Sequence, residues 1–103
     1  MSHNVIRRPQ SVRDVEEIFV YIALDNLDAG NRFLLATEEC YKRLAEFPFV
    51  GTERRFANER WDNLRKWQIP KFEKYLIYYT VSEDTVEIVR VFHSSRDIEE
   101  LLD

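Results

Sequence analysis

The sequence is poor in the residues that punctuate or cross-link a chain, with 2 glycines, 3 prolines and 1 cysteine among 103 residues. So little Gly and Pro excludes a linker-like or low-complexity chain. With 45% hydrophobic and 33% charged residues, a compact globular domain is expected over residues 1–103. The lone thiol, Cys40, excludes an internal disulfide, fits a reducing compartment and falls on a helical apolar stripe as a small core residue. No apolar run approaches the ~20 residues that span a bilayer, and the N-terminus lacks the apolar core of a signal peptide. A cytoplasmic location away from membranes is therefore expected. Metal-ligand clusters, Gly-rich phosphate loops and nucleophile motifs are absent from the sequence, so neither a metal nor another cofactor is expected.

Charge is present but unevenly spread. The net charge of −4 disfavours a protein that works by gripping nucleic-acid phosphates. Residues 50–80 are nonetheless locally basic, through Arg54, Arg55, Arg60, Arg65, Lys66, Lys71 and Lys74, whereas residues 81–103 are strongly acidic. Solvated surface charge or a basic patch both fit that pattern.

The organising stretch is Phe72–Asp97. Two runs rich in β-branched and aromatic residues, Phe72–Val81 and Thr85–Phe92, flank Ser82-Glu83-Asp84, which is the pattern of an antiparallel hairpin. Strict alternation puts Val86, Ile88, Arg90 and Phe92 on one face, and Glu87, Val89, Val91 and His93 on the other. One face is expected under helices and the other as a semi-exposed working surface. Tyr75, Tyr78 and Tyr79 cannot all be core on one face, so at least one should present its ring at a surface. Of the two tryptophans, Trp67 is the one expected in the core.

Upstream, Asn4–Arg8 reads as an edge strand ended by Pro9. A helix capped by Ser11 follows, with Val12, Val15, Ile18, Phe19, Ile22 and Ala23 as its apolar stripe and Arg13, Asp14, Glu16 and Glu17 on a wet face. Asp28 is placed as the cap of a second helix, which buries Phe33, Ala36, Thr37, Cys40, Tyr41 and Leu44 and stops at Phe47-Pro48. Residues 49–63 lack periodicity and read as a long loop or a short extra helical turn. Leu64–Ile69 alternates as a half-buried strand, and Ile98–Leu102 as a helical turn packed on the body. The predicted architecture is α+β, in the order β-α-α-β-β-β. An antiparallel helical hairpin covers one face of a mostly antiparallel sheet, and a short C-terminal helical tail follows.

This order, with Asp14, Ile18 and Tyr21-Ile22-Ala23, Phe33 and Leu44, Pro48-Phe49-Val50-Gly51, Leu64-Arg65 and Tyr75-Leu76-Ile77-Tyr78-Tyr79, resembles the ParE/RelE superfamily of toxins. The segment Val89-Arg90-Val91-Phe92-His93-Ser94-Ser95-Arg96-Asp97 is similar to the ending of its ParE-like branch. The resemblance implies a bacterial plasmid-stabilisation toxin neutralised by a cognate antitoxin, as a homodimer or a toxin–antitoxin heterotetramer. In the ParE-like branch the implied target is DNA gyrase, reached by protein contact and without enzymatic turnover. The RelE-like alternative is a ribosome-dependent endoribonuclease acting on mRNA.

Cleavage of RNA would need a 2′-hydroxyl activated and a pentacovalent phosphate held, for which Arg65, Lys71 and Arg90 are the catalytic candidates. For target binding the candidates are Arg65, Lys66, Tyr75, Tyr78, His93 and Arg96. For His93, Arg96 and Asp97 a structural role is the competing reading: a histidine bonding backbone at a strand end, and an arginine paired to a carboxylate.

Overall fold

A computed structural model describes residues 2–53, 61 and 63–102. Arg54, Arg55 and Arg60 of the basic segment, with Phe56, Glu59 and Asp62, lie outside the described residues, as does Asp103.

The chain forms β1 (Asn4–Arg7), α1 (Pro9–Asp25), α2 (Leu27–Glu46), β2 (Thr52–Glu53), β3 (Arg65–Ile69), β4 (Phe72–Ser82), β5 (Thr85–His93) and α3 (Ile98–Leu101). The five strands make one sheet in the order β1-β5-β4-β3-β2, antiparallel throughout except where β1 joins β5 in parallel. The α+β architecture is as predicted. The two-residue β2 is an addition within the stretch read as loop.

Both helix starts differ from expectation because backbone geometry outranked the nearest hydroxyl or carboxylate. Pro9 occupies the first turn of α1, where its missing N–H costs nothing, so the helix starts ahead of Ser11. Ser11 is buried, and its hydroxyl donates to the Arg8 carbonyl at 2.7 Å. The α1–α2 link is the single residue Asn26, whose side chain accepts from the Ala29 N–H at 3.1 Å; Asn26, not Asp28, is the cap. So short a link folds α2 straight back along α1. Gly30 lies inside α2 where the helices touch: a Cβ there would meet the Ala23 Cβ at 2.9 Å.

Two cores result, one on each side of the β4–β5 hairpin. Under the helices lie Phe33, Cys40, Tyr41, Leu44, Ile69, Ile77, Tyr79, Val86, Ile88 and Val91, flanked by Val15, Ile18 and Ile22 of α1. On the opposite side Trp61, Leu64, Tyr78, Val89, Phe92, Ile98 and Leu102 form the second core. The face expected to be a semi-exposed working surface is therefore closed around Tyr78, Val89 and Phe92 and, among the described residues, stays open only toward Lys66, Gln68 and Lys74. Apolar Val89 and Phe92 need a cover, and α3 with Trp61 provides it, the Trp61 indole N–H donating to the Leu102 carbonyl at 2.8 Å. Trp61 is thus a core residue, whereas Trp67 is only partly buried.

Strict alternation along β5 also fails. Tyr78 pairs with Arg90 but Tyr79 with Ile88, which leaves Val89 as the extra residue of a bulge. Beyond it the pattern slips by one, so Val91 joins Val86 and Ile88 on the helix side.

Candidate functional site

The bulge delivers Arg90 to α1. Asp14, assigned to the wet face of that helix, is 5% exposed. Its carboxylate accepts from Arg90 Nε at 2.7 Å, from Arg90 Nη2 at 2.9 Å and from the Val91 N–H at 3.0 Å. Arg90 Nη1 donates to the Leu101 carbonyl at 3.1 Å, and the guanidinium lies 4.3 Å from the Phe92 ring centre. One side chain thereby ties the first helix, the central strand and the C-terminal helix together. Two-point pairing with extra backbone bonds is what offsets the desolvation of a buried ion pair.

Beside this pair a cleft opens. β1 covers the edge of β5 only from Thr85 to Ile88, so past the bulge no described strand pairs with that edge, where Asp14 takes the Val91 N–H. The space between that free end and α1 is about 440 Å³, lined by Glu17, Ile18 and Tyr21 of α1, Tyr75 of β4, and His93 and Arg96 among others. Tyr75 stands edge-on to His93 at 5.2 Å and to Phe33 at 5.4 Å, and burial pushes its hydroxyl above its ordinary pKa, with Tyr21 adding to the effect. The Nδ1 of His93 lies 2.8 Å from Ser95 Oγ and accepts the Ser95 N–H at 3.1 Å. Because Nδ1 accepts a backbone proton, the neutral ring carries its own proton on Nε2. Arg96 lies 6.0 Å from the Phe92 ring centre, and Asp97 caps α3 through the Glu99 N–H. Toward the α1–α2 turn, Val20, Tyr21, Leu24 and Leu27 are exposed apolar side chains.

The remaining predicted residues lie elsewhere. Arg65 lies 5.0 Å from the Phe49 ring centre and donates to the carbonyls of Gly51 at 2.8 Å and Phe49 at 3.3 Å. Lys71 occupies the left-handed turn between β3 and β4, with φ 72°, and its N–H donates to the Glu73 carboxylate. Lys66 lines a separate hollow with Lys74, Gln68 and Thr52. Tyr78 is in the second core. Tyr75, His93 and Arg96 are thus brought together, while Arg65, Lys66, Lys71 and Tyr78 are each somewhere else. No group of three metal-ligating side chains occurs among the described residues, and no helix among them is long and apolar enough to cross a membrane.

The sequence matches, over residues 5–98, the family described as the ParE toxin of type II toxin–antitoxin system, parDE. The chain belongs to the ParE toxin family. Among solved structures it is similar to the chromosomal ParDE toxin–antitoxin system of P. aeruginosa, with TM-score 0.69 and 14% identity over 89% of this chain and 96% of that one. It is also similar to a conserved hypothetical protein, HP0894, of Helicobacter pylori, with TM-score 0.55 and 16% identity over 91% and 97% of the two chains. No curated protein matches it. At these identities the structural likeness speaks for the shared fold.

For this ParE-family toxin the sequence reading missed Asp14 as a buried partner, and Glu17, Ile18 and Tyr21 as cleft residues. A signal for the first existed. Arg90 is the only charge within Ile88–Phe92, and a cation inside a buried strand needs a carboxylate from another element. Nothing comparable marked Tyr21, which lines a cleft that opens where β1 stops along β5.

Proposed function

We propose that this ParE-family toxin acts on DNA gyrase by protein–protein contact, without turning over a substrate, and that the cognate antitoxin that silences it binds across the cleft and the apolar α1–α2 turn. The observation that carries the reading is the engagement of Arg90. Its guanidinium is shared between Asp14 and the Leu101 carbonyl, beneath a sheet face closed by Trp61 and α3. A phosphate could reach Arg90 only by displacing a buried carboxylate, at a cost of about 3–5 kcal/mol. Arg65 and Lys71 lie in two further settings, so the three RNA-cleavage candidates do not converge on one phosphate. The cleft and the α1–α2 turn instead offer aromatic and aliphatic surface next to an unpaired strand end, a combination suited to an extended or helical peptide.

The test is brief induction of the chain without antitoxin, scoring plasmid supercoiling and messenger integrity in one culture. Relaxed or broken DNA with intact messages is expected. Cleaved translated messages with normal supercoiling would move the target to the ribosome and overturn the reading.

A further inference from the structure

We propose that the turn following α2, Phe47-Pro48-Phe49-Val50, is a preorganised tip by which the toxin docks onto the protein it poisons, entering an apolar pocket rimmed by carboxylates. The inference rests on the reading that the toxin works by protein contact, and it places that contact away from the cleft.

Three large apolar side chains stand in solvent here, Phe47 at 53%, Phe49 at 64% and Val50 at 41% exposure. A loop free to move would lower its free energy by folding such side chains inward. This one is held. The Tyr79 hydroxyl, at the end of a wholly buried ring, donates to the Pro48 carbonyl at 2.8 Å and accepts the Gly51 N–H at 2.8 Å. Arg65 donates to the carbonyls of Phe49 and Gly51, and the Val50 N–H to that of Phe47. Gly51 permits the close approach: a Cβ there would lie 2.3 Å from the Tyr79 oxygen and 2.9 Å from the Lys66 carbonyl. The core thus fixes the backbone and leaves the side chains outside. Aromatic side chains on a rigid backbone lose little entropy on binding, which is the condition for an energetic hot spot.

The rim indicates the partner's chemistry. Guanidinium groups flank both rings, Arg43 at 5.3 Å from the Phe47 centre and Arg65 at 5.0 Å from that of Phe49; Arg43 also lines, with Glu46 and the tip itself, a hollow of about 490 Å³. On a chain of net charge −4 each exposed ring has a guanidinium beside it, so a carboxylate rim around an apolar pocket complements the pair. The position is also separate. α2 has 20 residues, so the tip lies about 30 Å along the helix from the α1–α2 turn proposed for the antitoxin.

The experiment compares the full-length parent with a Phe47→Ser/Phe49→Ser variant in three assays: inhibition of gyrase supercoiling, growth arrest on induction, and co-purification with the cognate antitoxin. The expected result is a rise of about 30-fold or more in the toxin concentration that halves supercoiling, relief of arrest, and an unchanged antitoxin complex. Arg43→Glu should weaken inhibition several-fold, mostly at low salt. Equal inhibition by parent and variant overturns the tip, and so does loss of antitoxin binding in a folded variant. A parent dimer that the variant dissolves assigns the tip to self-association and likewise overturns the proposal; retention on DNA alone through the tip does so too. A parent that arrests growth but leaves gyrase untouched removes gyrase as the target. The tip is then judged by arrest: relief upholds it, unchanged arrest or a non-toxic parent overturns it. Should the double variant fail to fold, Phe49→Ser alone, at the more exposed ring, reads the same outcomes.

Discussion

The two faces of the β4–β5 hairpin are buried by different means. On one side a 17-residue and a 20-residue helix lay long apolar stripes over Ile77, Tyr79, Val86 and Ile88. On the other, among the described residues, the 4-residue α3 and the ring of Trp61 cover Tyr78, Val89 and Phe92. The first cover is continuous secondary structure with its own hydrogen-bond ladder. Among the described residues the second is a short helix and a few side chains, tied down by bonds that include Trp61 to Leu102 and Arg90 to Leu101. A strand without a polar face needs both covers, but unequal means make unequal stability, and the shorter cover should yield first.

The comparison can be broken from either side. Phe33→Ala, in the middle of the helix-side core, should cost about 4 kcal/mol and lower Tm by roughly 20 °C in thermal unfolding. Arg90 belongs to both sides: Arg90→Met strands the Asp14 carboxylate and should cost about 3 kcal/mol, while adding Asp14→Leu should recover most of it. A denaturant double-mutant cycle reads the difference, and a double variant no better than the single one would show that packing, not charge, dominates there. Ile98→Ala should cost about 2 kcal/mol, because a short terminal helix can settle into the cavity. Hydrogen exchange should show it loosening α3 before the helices. Smallest is Arg7→Ala. The Arg7–Glu38 bridge at 2.7 Å has both side chains nearly half exposed, so less than about 1 kcal/mol is expected, fading with added salt.

The fold was largely legible because its elements are locally consistent. The apolar spacing of Phe33, Cys40, Tyr41 and Leu44 suits only a helix, and the β-branched and aromatic runs from Phe72 to Phe92 suit only strands. Tyr75 and Tyr79 point to the helix side while Tyr78 points to the other, and Tyr75 alone lines a cleft, in keeping with the expectation that one tyrosine would reach a surface. The candidate site was less legible. Alternation was extended through Arg90, but the bulge at Val89 re-aims every later side chain of β5, and no residue type at Val89 announces it. Asp14 looked solvated because its neighbours Arg13, Glu16 and Glu17 are charged. Arg65, read as a phosphate ligand, holds the turn after α2, a role visible only once Phe49 and Gly51 are placed beside β3.

What the sequence determined alone is therefore the set of elements, their order and the helix-side core, since each depends on residues within a few positions of one another. Only the tertiary structure decided which partner Arg90 takes, that the second sheet face is closed around Val89 and Phe92, and that Tyr21, Tyr75, His93 and Arg96 share a cleft. Those depend on a one-residue register slip and on where β1 stops along β5. Both are set by the summed packing of distant segments, to which no local pattern has access.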